Sequence, residues 1–184
     1  SRYPADNISR HTVHMGVGEI GNQWWTVGIG TNAPNGVVNA SGLGVTAAAA
    51  AAITSDELLD LVHSVNSIYR PGASFMMNDL TVKAVRKLKD GDGNYLWSDG
   101  DFQKGIPSSL LGHRVAINDA MAGMATGEKP ITFGDMKQYY VRKVGSPIMG
   151  VMRERFWPKL GIAGLILFDG ELGDVRAVKH LQMG

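Results

Sequence analysis

Four segments of this sequence carry residue types that do chemistry in other proteins. The first is GIGTNAPNG, Gly28 to Gly36. Glycines at this density can cradle a phosphate on backbone N–H groups. A P-loop, however, closes on G-K-[ST] and a dinucleotide site needs G-x-G-x-x-G, and neither follows here. The segment reads as a turn, with Pro34 fixing φ and Gly36 accepting a positive one. The second is DGDGNYLWSDGD, which sets Asp90, Asp92, Asn94 and Asp101 at the odd and final places of a calcium loop. The sixth place must be glycine for the sharp bend and is Tyr95, and the twelfth should be a bidentate glutamate. We read a solvated turn. The third is His11 with His14, three apart, which lacks a third ligand for zinc; His63, His113 and His180 are isolated, and all five are read as structural. The fourth is Lys83, Arg86 and Lys87 with Lys89 adjacent, a basic helix face that can meet phosphate or a neighbour's carboxylates but is more often simply solvated. No G-x-S-x-G elbow exists, and Asp99, Asp101 and Asp119 stand in loops. We therefore assign no catalytic, cofactor-binding or metal-binding residue and no cofactor.

The bulk numbers agree. With no cysteine there is no disulfide frame, thiolate metal site or cysteine nucleophile. Lys and Arg number 18 against 17 Asp and Glu, a net of +1, whereas proteins that coat nucleic acid are strongly basic. Apolar residues make up 44%, enough for a core in one domain or two small lobes. No run approaches the roughly 18 apolar residues that span a bilayer, and SRYPADN is not read as a secretory leader. Glycine, 24 of 184, exceeds the usual share of about 7% and is scattered, which predicts many tight turns.

The elements follow from periodicity. Ile8 to Trp25 reads as a helix weakened by glycines, so the sequence opens within an element and is expected to be part of a longer protein. Val37 to Asn39 predicts a short strand. Thr54 and Glu57 form a capping box ahead of an amphipathic helix over Asp56 to Tyr69, with Leu58, Leu61, Val62, Val65, Ile68 and Tyr69 on its stripe. Pro71-Gly72 stops it. Ser74 to Met77 predicts a buried strand. Asn78 or Asp79 caps a second helix, Leu80 to Leu88, with Leu80, Ala84, Val85 and Leu88 inward. Further strands are expected at Tyr95 to Trp97, Leu110 to Ile117, Gln138 to Val144, Ile162 to Phe168 (a nearly continuous apolar run, hence buried) and Ala177 to Gln182. Trp24-Trp25 and Phe156-Trp157 are read as core, with a subunit interface as the other reading. Helices and strands mix without a β-α-β rhythm, which predicts α+β.

Five stretches in this order resemble the tailed-bacteriophage and prophage major capsid protein family, whose fold is named after the Hong Kong phage with the crosslinked coat. GIGTNAPNGVV is similar to the G-x-G-x-x-x-P-x-G-[IV] loop after the family's spine helix. Asp56 to Trp97 carries D-x-L-x-x-L, Tyr69-Arg70, A-x-x-[MV]-M-N from Ala73 to Asn78, then Thr81, R-x-L-K-D from Arg86 to Asp90, Gly93 and Tyr95 to Trp97. Leu111-Gly112, Val115, Asn118-Asp119 and Met121 resemble L-L-G-x-P-V…D-x-M; Phe133 to Asp135 with Tyr140 and Arg142 resemble F-G-D…Y…R; Ala177 to Leu181 resembles a closing A-x-K-x-L. Arg114 and Ala122 depart from family prolines. Lys143, Val144 and Gly145 stand where crosslinking relatives place an asparagine after the arginine, so no isopeptide crosslink is expected here.

The resemblance implies an α+β phage capsid fold, an axial lobe plus part of a peripheral lobe. Residues 1–45 and 128–160 would be peripheral, and 46–127 and 161–184 axial. The upstream arm, extended loop and most of the spine helix would lie outside this sequence. It also implies a structural protein, not an enzyme: a major capsid subunit that self-assembles into an icosahedral head around double-stranded DNA. Its partners would be copies of itself in pentamers and hexamers, scaffold and portal proteins, and DNA held without sequence-specific contact, with no membrane. Its place would be the virion capsid, and the host bacterial cytoplasm during assembly. Two other readings stand beside this one. An encapsulin-like compartment shell would be distinguished by gene neighbourhood or a cargo peptide. A small nucleotide-binding hydrolase would use the Gly28–Gly36 loop.

Overall fold

The computed structural model describes residues 18–89, 93–95, 97–98, 109–152, 157 and 161–184. His11, His14, Asp90, Asp92, Asp99, Asp101 and Phe156 lie outside these residues, as does most of the expected first helix. Within them, residues 18–27 are helical (α1). Then come α2 (Val37–Ala40), β1 (Gly42–Thr46), α3 (Ser55–Ser64), β2 (Ser74–Met77), α4 (Asp79–Arg86), β3 (Trp97–Ser98), β4 (Ser109–Leu110), β5 (His113–Ile117), β6 (Ile131–Gly134), β7 (Tyr139–Met152), β8 (Gly161–Leu172) and β9 (Val178–Gln182). Seven strands form one mixed sheet in the order β1-β9-β6-β2-β5-β4-β3; β7 and β8 form a separate antiparallel ribbon.

The central strands of the sheet, β9, β6 and β2, are covered on both faces. Alternation along β2 sends Phe75 and Met77 to one side, where Ile131 and Phe133 of β6 and Leu181 of β9 join them beneath Leu58, Leu61 and Val65 from the α3 segment and Val82 and Val85 of α4. Phe75 and Phe133 are fully buried with ring centroids 4.5 Å apart. The other side carries Met76 and Val178 against Val37 and Val38 of α2, Met121 and Leu172. His180 is buried on that side too, its Nδ1 2.8 Å from Ser41 Oγ. Because the Ser41 hydroxyl spends its one proton on the Val38 carbonyl (2.8 Å), the imidazole Nδ1–H is the donor of the pair. Burial, then the nearby Lys129 charge, holds the His180 pKa down to about 4.

Several expectations shift, each for a local reason. Val37 to Asn39 forms a helical turn, not a strand, because Asn39 and Ala40 N–H groups both return to the Gly36 carbonyl. The Thr54–Glu57 capping box is present, with Glu57 also accepting from Ala48 N–H at 2.8 Å. Burial works against the Glu57 charge, but these backbone N–H groups prevail and lower its pKa. The helix ends at Ser64 and not at Tyr69, since Arg70 donates to the carbonyls of Val65 (2.9 Å) and His63 (2.8 Å), giving the last turn other partners. Asn78, accepting from Leu80 N–H, starts α4 in a phase that turns Thr81, Val82 and Val85 inward. Leu80, expected inward, is 68% exposed. Leu110 to Ile117 is not one strand: Leu111 and Gly112 both take positive φ (51° and 79°), folding β4 onto β5 as a two-residue hairpin.

Candidate assembly surface

The ribbon is built on the joint that GIGTNAPNG forms. Gly28 N–H donates to Trp24 O (2.9 Å), Gly30 N–H to Pro34 O (3.2 Å), Gly36 N–H to Gly28 O (2.9 Å) and Asn35 N–H to Gly170 O of β8 (3.0 Å). The Tyr139 hydroxyl donates to Asn35 O (2.8 Å), and Asn35 Nδ2 donates to Glu171 (2.9 Å). Burial, followed by Glu171 and Asp169, pushes Tyr139 up to about 12, so it stays a donor. A Cβ on Gly28 would collide with the carbonyl oxygens of Pro34 and Trp24, which explains the glycine. These four N–H groups are spent inside the fold and hold the loop as a joint.

One side of the ribbon is taken by α1. Phe168 lies 5.5 Å from the Trp24 ring and 5.0 Å from the Trp25 ring, and Lys143 Nζ sits 5.1 Å from the Trp25 ring centre. Trp25 is half-buried here while Trp24 stays exposed, so the pair is only partly core. Asn118 ties the same helix to the sheet, donating to Thr26 Oγ1 (2.8 Å) and accepting from Asn22 (3.0 Å). Residues opposite each other in an antiparallel pair share a face. Arg142 opposes Asp169, Val144 opposes Leu167, and, past an irregularity, Ile148 opposes Leu165. These pairs alternate away from the Phe168 side. Val144, Ile148, Leu165 and Leu167 are all 53–67% exposed, an apolar strip with charged residues at its base. The Ile162–Phe168 run is therefore a strand, as expected, but not a buried one. Trp157, expected in a core, is exposed as well.

The other residues singled out from the sequence do not converge. His63 stands near Arg70, His113 packs edge-on to Phe133 (4.9 Å between rings), and His180 is in the core. Arg86 lies over the Trp97 ring and Lys89 over Tyr95. Among the described residues no three His, Asp or Glu side chains gather, and no helix is long and apolar enough to cross a membrane. His113, Arg114, Asp135 and Lys137 do line one shallow cleft beside the Pro71–Ser74 segment, but the most extended apolar feature described is the open face of the ribbon.

The model of the phage capsid family matches residues 10–183. The chain belongs to the phage capsid family. The capsid protein of an empty GTA particle, computed with C5 symmetry, is 28% identical over the whole of this chain and 68% of its own, with a TM-score of 0.81. That of the native GTA particle gives 28%, full coverage of this chain, 67% of the other and a TM-score of 0.82. A chain from Gordonia phage Cozz, 14% identical over 81% of this chain and 51% of its own, shares the fold with a TM-score of 0.55. No curated protein matches. This capsid chain is thus a structural shell subunit of the virion, from a family of structural proteins and not of enzymes. Sequence reasoning reached the family through loop and strand motifs, but it did not foresee the exposed apolar strip of the ribbon. Its signal was a pair of long strands rich in apolar residues, Tyr139–Met152 and Gly161–Leu172, with no helix after them among the described residues to cover a second face.

Proposed function

We propose that this chain self-assembles, through pentamers and hexamers, into an icosahedral head around double-stranded DNA. The observation that carries the reading is the ribbon's apolar strip, Val144, Ile148, Leu165 and Leu167, left open on the face opposite α1. Exposed apolar strips of this kind are where subunits meet. In a closed shell each contact recurs many times, so modest contacts suffice. The net charge of +1 supports packing of like subunits without strong repulsion, and supports a genome that is driven in and not condensed by basic arms. Contacts to DNA would be free of sequence preference. Scaffold and portal proteins are the further partners of this reading, and assembly in the host bacterial cytoplasm is its setting. Residues 1–45 and 128–160 are assigned to a peripheral lobe and 46–127 and 161–184 to an axial one; the ribbon takes one strand from each set, and β6 of the first set pairs with β2 and β9 of the second in the main sheet.

The test is sedimentation of the 184-residue chain with and without Ile148→Lys plus Leu165→Lys. The unaltered chain should associate with rising concentration, into particles smaller than a closed shell by electron microscopy. The double variant should stay monomeric with its urea midpoint unchanged. A chain that remains monomeric throughout, or a double variant that associates equally well, overturns the ribbon as the assembly surface.

A further inference from the structure

The misphased α4 leaves a second unpartnered surface, made by different elements from the ribbon. Leu80 and Ala84 fall at i and i+4 on one line of the helix, and Leu88, just past its C-cap Lys87, continues the apolar surface. With Ala51, Ala52, Ile53 and Met124 they wall a cleft of about 300 Å³. That is at the lower end of the roughly 300–1,000 Å³ of small-ligand pockets, but here the cleft is an open trough along a helix. Among the described residues its charged lining is Lys83 and Lys87, one turn apart. Their neighbours on the basic face are engaged elsewhere: Arg86 on Trp97 (5.1 Å) and Lys89 on Tyr95 (4.8 Å). Neither Lys83 nor Lys87 has a carboxylate partner among the described residues. The nearest acid along the helix, Asp79, sits in its first turn, outside the lining.

We propose that this trough binds an acidic amphipathic helix from a partner protein, apolar side chains in the cleft and carboxylates on Lys83 and Lys87. An open apolar trough walled by Leu80, Ala84, Leu88, Ile53 and Met124 is the complement of a helix with its own i, i+3, i+4, i+7 anchors, the helix-in-groove mode. The two lysines select the sign of the flanking charge. Duplex DNA would satisfy the lysines but has nothing to place against Leu80, Ala84 and Leu88. The inference goes beyond self-assembly and does not require the ribbon strip.

The experiment uses fluorescence anisotropy of a labelled synthetic helix, leucines on one face and glutamates flanking them, added to the 184-residue chain at low salt. Comparators are the same peptide scrambled, its lysine-for-glutamate version, and a short labelled DNA duplex. The acidic helix should bind, and binding should weaken about tenfold or more with Lys83→Glu plus Lys87→Glu and, separately, with Leu80→Asp. All three positions are exposed or line an open surface, and thermal unfolding of the variants should match the parent. The proposal is overturned if the helix does not bind. It is also overturned if the scrambled peptide binds equally, if Leu80→Asp has no effect, or if the duplex binds as tightly with the same dependence on both lysines.

Discussion

The seven-stranded body and the two-stranded ribbon are made from similar residues and use them differently. In the body, Phe75, Met77, Ile131, Phe133 and Leu181 lie at or near zero exposure because helices cover one face and α2 with its neighbours covers the other. In the ribbon, Val144, Ile148, Leu165 and Leu167 are as apolar and more than half exposed, because α1 covers one side only. A two-stranded ribbon alone is marginal in water. Here it is held by its joint to Gly28–Gly36 and by the tryptophans of α1. The contrast separates apolar residues that fold the subunit from apolar residues it leaves exposed, which the proposed assembly would bury.

The contrast is broken most directly in the body. Phe133→Ala should cost about 3–5 kcal/mol in urea unfolding, the ordinary loss for a fully buried aromatic; a loss under about 1 kcal/mol would mean that the sheet is not the folding core. Acid should act next. His180 titrates near pH 6.5 when unfolded and at about 4 when folded, so above pH 6.5 both states are neutral and its full stability contribution is present. As the pH falls from 6.5 to about 4 the unfolded state takes up a proton that the folded state refuses, and about 3 kcal/mol is lost. His180→Gln should flatten this part of the profile relative to the parent; parallel curves would remove the buried imidazole from the account.

Gly28→Ala tests the link between the two regions. Its methyl would meet the Pro34 and Trp24 carbonyl oxygens, so a loss of about 1–3 kcal/mol is expected. Amide exchange along β7 and β8 should rise more than along β2 and β6. The smallest effect belongs to the ribbon strip. Leu165→Ser should change subunit stability by less than about 0.5 kcal/mol while weakening concentration-dependent association in sedimentation. A stability loss as large as that of Phe133→Ala would erase the distinction between the regions.

The sequence made some of this plain. The Thr54–Glu57 box, the Leu58–Val62 stripe and the Ser74–Met77 strand are local patterns whose partners lie within a few residues, and they stand where periodicity put them. The phase of α4 was not legible, since Leu80 and Val82 are equally apolar and only the Asn78 cap and the sheet beneath decide which turns in. The early end of α3 depends on Arg70 reaching back to carbonyls five and seven residues away, which spacing alone does not encode. Burial of β8 was misjudged because an apolar run tells how much a strand can be covered, not whether this chain supplies the cover.

The sheet order has a consequence for the timing of synthesis. β9 lies between β1 and β6, parallel to the first and antiparallel to the second, though both are translated before it. Until Val178–Gln182 leaves the ribosome, β1 and β6 each carry an open hydrogen-bonding edge, and the Phe133 side chain lacks the Leu181 strand beside it. The body therefore cannot close until β9 is in place, and that single insertion covers two strand edges that could otherwise pair with another chain.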